Sequence, residues 1–313
     1  MWTPDPTWQR LAARGDAARV WRRSIPGRGV WVGKRLVRPL HDVDAAYAGR
    51  ADLDPGHVLW WRREADLVEQ RWAEGLPGLR GPSGGMVEED ADGLTLCWPL
   101  LERPPAGESQ IAAALGRLAT GPIPDQPWSC TDQLGDRWRA VAASGGWSTI
   151  GSTPAAEVAA AIWEARTQLL EASAALPRTP THGDVTPGNL LGEAAGAGAP
   201  SVVACDWSAA GSGPVGADLG FFTLSTRSSL SPLVEVYGAA ASAAGRTLAP
   251  GDIALGARIQ MAFTVITRVD RTLGRVADGE GDWSSKLRHP AVTPVMRALQ
   301  RAYADFRPLL DLV

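Results

Sequence analysis

The sequence contains little cysteine and no long apolar run. Its three cysteines, Cys97, Cys130 and Cys205, form no Cys-x-x-Cys pair, which argues against a structural zinc site or a disulfide framework and is typical of a reducing cytoplasm. No apolar run approaches the roughly 20 residues needed to cross a bilayer. The first residues also lack the basic and apolar regions of a signal peptide. We therefore expect a cytoplasmic protein that does not act on a membrane.

Lysine is almost absent, and the net charge is small. Only Lys34 and Lys286 are lysines among the 31 basic residues, and the net charge is −3. A charge so close to zero does not favour nucleic acid as a partner. Where arginine is so strongly preferred, a retained lysine suggests a role for a compact ammonium group that a planar guanidinium cannot fill. For Lys286 chance is the simpler interpretation, whereas the position of Lys34 supports a function.

The first hundred residues predict a small mixed lobe, at 1–102. Alternating apolar residues predict a hairpin over 19–37, from which Lys34 projects. A helix is expected over 57–74, before a Gly-Leu-Pro-Gly stop. A second hairpin is expected over 85–98, turning at an Asp-Gly step.

The rest of the chain, 103–313, predicts a mainly helical lobe. Thr153 and Pro154 suit a helix start, and apolar residues then recur at three- and four-residue steps to Leu176. Other predicted elements are short strands at 189–191 and 202–205 and a helix at 259–273. The segment 119–150, rich in Pro, Gly and Trp, gives no clear prediction.

One loop and one strand end carry the chemistry. Asp184 and Asn189 lie five residues apart in a loop containing Pro187-Gly188, and Asp206 ends an apolar strand. Magnesium prefers such hard oxygen ligands, usually with one or two protein carboxylates. Phosphoryl transfer needs this ion, a positive group on the phosphates and a group that orients the attacking hydroxyl. A Walker phosphate loop is excluded, because Lys34 is followed by Arg35 and lacks the required upstream glycine.

The set His182-Gly183-Asp184, Asn189, Asp206-Trp207 and Gly216-Ala217-Asp218-Leu219 resembles the aminoglycoside phosphotransferase and choline kinase superfamily. These are small-molecule kinases with a protein-kinase-like fold. The resemblance implies an α+β, bilobal protein, with an antiparallel-sheet N-lobe over 1–102 and a mainly helical C-lobe over 103–313. It is strongest over residues 181–220. Asp206 is followed by Trp207-Ser208 instead of the Phe-Gly of protein kinases.

The resemblance also implies roles for individual residues. Asp184 would be the catalytic carboxylate facing the acceptor hydroxyl, and Asn189 and Asp206 would hold Mg²⁺. His182 would be structural in the loop, and Asp218 would brace it through hydrogen bonds. For Asp218 a simple helix cap remains the alternative.

For the nucleotide, ATP or GTP, the resemblance implies contacts from the small lobe. Lys34 would bind the α- and β-phosphates and Glu64 would pair with it, although Asp66 and Glu69 are substitutes for Glu64. The turn 15–18, with Gly15 and Ala17, would cover the phosphates. Trp98 and Leu100 would lie in the hinge that offers backbone groups to the base. Trp207 is interpreted as packing rather than ligand contact.

The acceptor is less well specified. From residue 221 onward there are eleven basic and eight acidic residues, which favours a neutral or partly anionic acceptor over a polycationic aminoglycoside. Asp270, Arg268 and Arg271 are candidate acceptor contacts, or else a solvated helix face. The leading hypothesis is a phosphotransferase that inactivates an antibiotic of sugar or nucleoside type. A metabolic kinase of a sugar or amino alcohol, or a non-catalytic nucleotide-binding regulator of the same fold, remains open.

Overall fold

A computed structural model of the chain describes residues 4–11, 20–37, 54–143, 154–192, 202–277, 305 and 308–309. The strands are β1 (Gln9–Arg10), β2 (Val20–Ile25), β3 (Gly29–Val37), β4 (Leu79–Arg80), β5 (Met86–Asp90), β6 (Gly93–Pro99), β7 (Arg178–Thr181), β8 (Leu190–Gly192), β9 (Val202–Ala204) and β10 (Gly211–Pro214). The helices are α1 (Arg63–Glu69), α2 (Glu108–Leu118), α3 (Gln133–Ala143), α4 (Pro154–Glu164), α5 (Arg166–Ala175), α6 (Ala217–Thr223), α7 (Leu230–Ala243) and α8 (Pro250–Ala277). An antiparallel sheet comes first and helices dominate afterwards, which confirms the predicted α+β class.

The first sheet has five strands in the order β1-β2-β3-β6-β5, all antiparallel. Both predicted hairpins are present in it, as β2-β3 and β5-β6. Lys34 lies on β3 opposite Leu96 of β6. Since directly opposed residues share a face of a sheet, the Lys34 side chain rises from the face where Leu94, Leu96 and Ala65 of α1 form a small core.

Helix α1 is shorter than predicted. The expected helix over 57–74 is wrong at both ends: α1 begins at Arg63, and a separate 3₁₀ turn covers Trp72–Gly75. Residues 54–62 form turns, and the carbonyl groups of Pro55, His57 and Val58 accept hydrogen bonds from the Arg63 guanidinium. At the other end Arg71 adopts a left-handed backbone conformation (φ 55°), which breaks the helical ladder.

The helices of the second part surround one large apolar core. The single helix expected from Thr153 to Leu176 is two helices, α4 and α5, with a break at Ala165, where ψ is 2°. Arg166 stabilises the break by donating to the Trp163 carbonyl at 2.9 Å. Helix α8 is longer than the predicted 259–273. Helix α3 lies in the segment without a prediction, and the Asp132 carboxylate accepts the Gly135 N–H in its first turn.

Two small sheets carry the loops of the second part. The predicted strands β8 and β9 pair with each other, and β9 also pairs with β4. Strands β7 and β10 pair with each other and were not predicted. Strand β4 belongs to the first 102 residues but runs parallel to β9, so the two predicted lobes share a sheet. Across the described residues, every helix is too short or too polar to cross a bilayer.

Candidate active site

The loop 182–189 follows β7, and a side chain of α6 holds its backbone in place. Asp218, in the first turn of α6, accepts the backbone N–H groups of His182 at 2.7 Å and of Gly183 at 2.9 Å. Gly183 has φ +81°, and a Cβ atom there would lie 2.2 Å from the Ala209 carbonyl oxygen. Only glycine fits this close approach. The loop that carries Asp184 is therefore held by backbone contacts.

His182 is completely buried and joins this loop to the segment after β9. Its Nδ1 accepts the Asp184 N–H at 3.2 Å, and its Nε2 lies 3.0 Å from the Cys205 carbonyl oxygen. One ring nitrogen must accept and the other must donate, so these partners assign a neutral imidazole with its proton on Nε2. Burial lowers the His182 pKa, in agreement with the neutral form. Its ring also lies 4.5 Å from that of the buried Trp207.

Asp184 and Asn189 lie in one loop. The Asn189 Nδ2 donates to the Asp184 backbone carbonyl at 3.1 Å, which leaves the Asn189 Oδ1 as the amide's acceptor atom. Burial raises the Asp184 pKa, and the nearby Asp206 carboxylate raises it further, while Arg137 and Arg268 act in the opposite direction. A raised pKa makes a carboxylate a better proton acceptor near neutral pH.

Lys34, Glu64 and Asp206 come from distant parts of the chain and meet near this loop. The Lys34 Nζ lies 2.6 Å from the Glu64 Oε2 and 2.6 Å from the Asp206 Oδ1. Asp206 has a left-handed backbone (φ 64°), which is uncommon for a residue other than glycine. Burial acts to raise the Asp206 pKa, but the Lys34 charge and the hydrogen bonds from Lys34 and Ser208 act together against it, and the pKa is lowered. Asp206 is therefore ionised, with the Lys34 ammonium beside it.

Asn189 and Asp206 fit a magnesium ion chemically. They offer an amide oxygen and a carboxylate, which are hard ligands, and Mg²⁺ commonly takes one or two carboxylates together with substrate phosphates. Within the described residues no group of three His, Cys, Asp or Glu side chains could hold a metal by itself. An ion at Asn189 and Asp206 would thus depend on the nucleotide's phosphates to complete its coordination.

Arg63 is a residue that the sequence interpretation missed. It is fully buried, and its five N–H donors meet five backbone carbonyls instead of a carboxylate. The Arg63 acceptors are the carbonyl oxygens of Pro55, His57, Val58, Trp128 and Ser208, at 2.6 to 3.0 Å. Because Arg63 precedes Glu64 and Ser208 follows Asp206 by two residues, this side chain ties together the segments that meet at Lys34. A contact made only to backbone carbonyls leaves no sequence pattern.

The structure describes two of the other predicted nucleotide residues, Trp98 and Leu100. Trp98 packs on the small core formed by Ala65, Leu94 and Leu96, and the Leu100 N–H donates to the Val30 carbonyl at 2.9 Å. That N–H is committed to the sheet, so any contact from Leu100 to a base would need its carbonyl. Gly15 and Ala17 lie outside the described residues.

Among the predicted acceptor contacts, only the Arg268 side chain is described. Asp270 and Arg271 lie on α8, but their side chains fall outside the described residues. The Arg268 guanidinium lies 4.6 Å from the centre of the Phe221 ring. Arg137, which the sequence interpretation did not select, lies 5.7 Å from the same ring.

A family comparison matched residues 89–252 to the phosphotransferase enzyme family (APH). The matched range includes the loop with Asp184 and Asn189, the Asp206 segment and Asp218. A search of curated protein sequences gave no match.

Solved structures of small-molecule kinases are similar over nearly the whole chain. Choline kinase LicA from Streptococcus pneumoniae has a TM-score of 0.54 at 11% identity, over 93% of each chain. Ethanolamine kinase from Plasmodium vivax has 0.57 at 8% identity, over 96% of this chain and 84% of that one. Spectinomycin phosphotransferase APH(9)-Ia, in complex with ADP and spectinomycin, has 0.53 at 10% identity, over 94% and 91%. These similarities confirm the predicted fold.

Proposed function

The chain belongs to the phosphotransferase enzyme family (APH), and from that premise we propose that it transfers the γ-phosphate of ATP or GTP to a hydroxyl group of an antibiotic. A neutral or partly anionic acceptor of sugar or nucleoside type is favoured over a polycationic aminoglycoside. The observation that carries the proposal is the bridge from Lys34 to Glu64 and Asp206, directly beside the loop of Asp184.

The contacts of individual side chains support each role in the proposal. Lys34, which lies between two carboxylates, supplies a positive charge for the nucleotide's phosphates. Asn189 and Asp206 would hold Mg²⁺, which would neutralise charge on those phosphates. Asp184, with its raised pKa, orients the acceptor hydroxyl and takes its proton. Residues 1–102 would form the nucleotide lobe and 103–313 the lobe with the catalytic loop and acceptor site.

A metabolic kinase of an amino alcohol is the second candidate. It draws support from the fold similarity to choline and ethanolamine kinases, whereas the arginines near Asp184 disfavour a cationic acceptor. A non-catalytic regulator is disfavoured because the Lys34 pair, Asp184, Asn189 and Asp206 are all retained. Such a regulator would have no need of a carboxylate with a raised pKa.

The test is a phosphorylation screen with the full chain. The protein is incubated with Mg²⁺ and ATP or GTP and with antibiotics, sugars and amino alcohols, one at a time. We expect mass spectrometry to detect a gain of one phosphoryl group on an antibiotic, and Asp184→Asn to abolish that gain. Phosphorylation of amino alcohols or sugars alone would support the metabolic kinase instead. Nucleotide binding without transfer to any compound in either nucleotide would support the regulator.

A further inference from the structure

Helices α3 and α8 lie beside the loop 182–189, α3 by direct contact and α8 through α3. The Gln133 Nε2, in the first turn of α3, donates to the Gly183 carbonyl at 2.8 Å, one residue before Asp184. The Gln260 Nε2 of α8 lies 3.4 Å from the Gln133 Oε1 and 3.2 Å from the Thr264 Oγ1. These contacts fix which face of each helix points towards the loop.

By helix periodicity, two arginines lie on the same faces as these glutamines. Arg137 lies four residues after Gln133 on α3, and Arg268 lies eight residues after Gln260 on α8. At 3.6 residues per turn, positions four and eight apart are rotated by about 40° and about 80°, so they belong to the same broad face of a helix. Both side chains therefore project on the side of their helix that meets the loop.

The ring of Phe221 brings the two arginines together. The guanidinium carbons of Arg137 and Arg268 lie 5.7 Å and 4.6 Å from the centre of this ring, within the range of a cation–π contact. Phe221 belongs to α6 and comes three residues after Asp218, which holds the backbone of His182 and Gly183. The two positive charges thus converge beside the loop that carries Asp184.

The electrostatics agree with this placement. Arg137 and Arg268 both act to lower the Asp184 pKa, against the larger effects of burial and Asp206. Burial lowers the Arg268 pKa, and the Asp184 carboxylate acts to raise it. An ammonium group of an acceptor would meet two guanidinium groups here, whereas a carboxylate or phosphate would meet the planar donors that suit such anions.

We propose that the acceptor carries an anionic group, a carboxylate or a phosphate, which Arg137 and Arg268 bind while a hydroxyl of the same molecule lies at Asp184. This inference rests on the proposed function and names the chemical class of its acceptor. Arg137 and Arg268 are then specificity residues, and Phe221 positions them. The inference excludes choline-like and polycationic acceptors.

The test uses a matched series of probes that share a hydroxylated three-carbon skeleton. Glycerate, glycerol 3-phosphate, glycerol and 3-aminopropane-1,2-diol are titrated calorimetrically into the protein saturated with Mg²⁺ and a non-hydrolysable ATP analogue. We expect one or both anionic probes to bind at least about tenfold more tightly than glycerol, and the aminodiol to bind most weakly. Comparing glycerate with glycerol 3-phosphate distinguishes a carboxylate from a phosphate as the anion.

Variants connect the preference to the two side chains. Arg137→Gln and Arg268→Gln should each reduce the preference for the anionic probe about tenfold without changing nucleotide affinity more than about twofold. Arg268→Lys keeps the charge and the long stem. It should retain part of the preference for the anionic probe, which separates the loss of charge from disturbed packing on Phe221. Arg139→Gln is the matched control, because Arg139 lies on the same helix but pairs with Asp132 and Asp136.

The outcomes separate this inference from the proposed function. Equal affinities for all four probes, tighter binding of the aminodiol, or an anion preference that both Gln variants retain would overturn it. In those cases nucleotide binding and phosphoryl transfer can persist, and the proposed function would stand. Failure of the protein to bind Mg²⁺-nucleotide at all would instead contradict the proposed function.

Discussion

The two sides of the candidate site are held by different forces. Asp184 lies on a loop whose backbone is fixed by His182 and Asp218, against the large core of the second part. Lys34 rises from a sheet whose small core has Ala65, Leu94 and Leu96 as its buried members in the described part of the chain, and two carboxylates hold its ammonium group. Backbone contacts in a core give one fixed arrangement, whereas charged pairs can exchange partners.

This difference indicates which side adapts when a nucleotide binds. The Lys34 ammonium now contacts Asp206, which is also a candidate ligand of Mg²⁺. A phosphate and an ion can replace that contact without changing the backbone of either residue. We therefore expect the Asp184 loop to keep its conformation when nucleotide binds, and the contacts of the Lys34 ammonium to change.

The largest loss of phosphoryl transfer is expected from a change in the Asp184 loop, the side that is held by backbone contacts. Asp184→Asn keeps the size of the side chain but removes the proton acceptor, so phosphoryl transfer should fall by about 10³-fold. Nucleotide affinity should change less than about threefold, because Asp184 faces the acceptor. Steady-state kinetics and a nucleotide titration measure the two effects. Transfer within tenfold of the unmodified protein would remove Asp184 from the chemistry.

The next largest effect tests the adaptable side. Lys34→Met removes the ammonium and should lower kcat/KM for the nucleotide about 10²-fold. Lys34→Arg, its charge-retaining partner, should recover only part of this, because a planar fork cannot occupy the point between Glu64 and Asp206 as a compact ammonium does. Full recovery with arginine would mean that charge alone matters, and that the geometry of the bridge does not.

A third variant weakens the backbone support of the loop. Asp218→Asn exchanges one of the two acceptor oxygens for a donor, which leaves the N–H of His182 or Gly183 unsatisfied in a buried position. We expect a loss of about 1–3 kcal/mol of unfolding free energy. Thermal unfolding followed by circular dichroism measures it. An unchanged melting temperature would show that the loop does not depend on this brace, and would weaken the contrast between the two sides.

The smallest effect concerns the connection between the sides. Arg63→Lys leaves three donors for five carbonyls, so α1 and Glu64 should loosen and kcat/KM for the nucleotide should fall about tenfold. Arg62→Lys is the control, since Arg62 pairs with Asp66, Glu69 and Glu89 at the surface. Equal losses in the two variants would attribute the effect to α1 in general and not to the Arg63 contacts.

The sequence predicted what depends on short-range patterns. Alternating residues predicted the first hairpin of the first sheet, and an Asp-Gly turn predicted the second. The spacing from Asp184 to Asn189 predicted the loop. Strands β7 (Arg-Thr-Pro-Thr) and β10 (Gly-Ser-Gly-Pro) were missed because neither has the apolar residues that mark a buried strand. The predicted length of α1 was wrong because carbonyl groups before the helix accept hydrogen bonds from the Arg63 side chain.

The residues that meet in the candidate site come from segments far apart in the sequence. Lys34 and Asp206 are 172 residues apart in the sequence, and only the family resemblance brought them together. Arg63 and Arg137 act through backbone carbonyls and an aromatic ring, which have no local signature. The composition offers one further signal for this site: Asn189 is the only asparagine in the sequence.

The pairing of β4 with β9 has a consequence for dissecting the protein. Strand β4 is contributed by the first 102 residues, yet it forms an edge of the sheet that continues into β8. A cut between residues 102 and 103 would expose backbone hydrogen-bonding groups on both fragments, although it falls between the two halves by sequence. Two separately expressed halves should therefore aggregate alone and reassemble only when co-expressed.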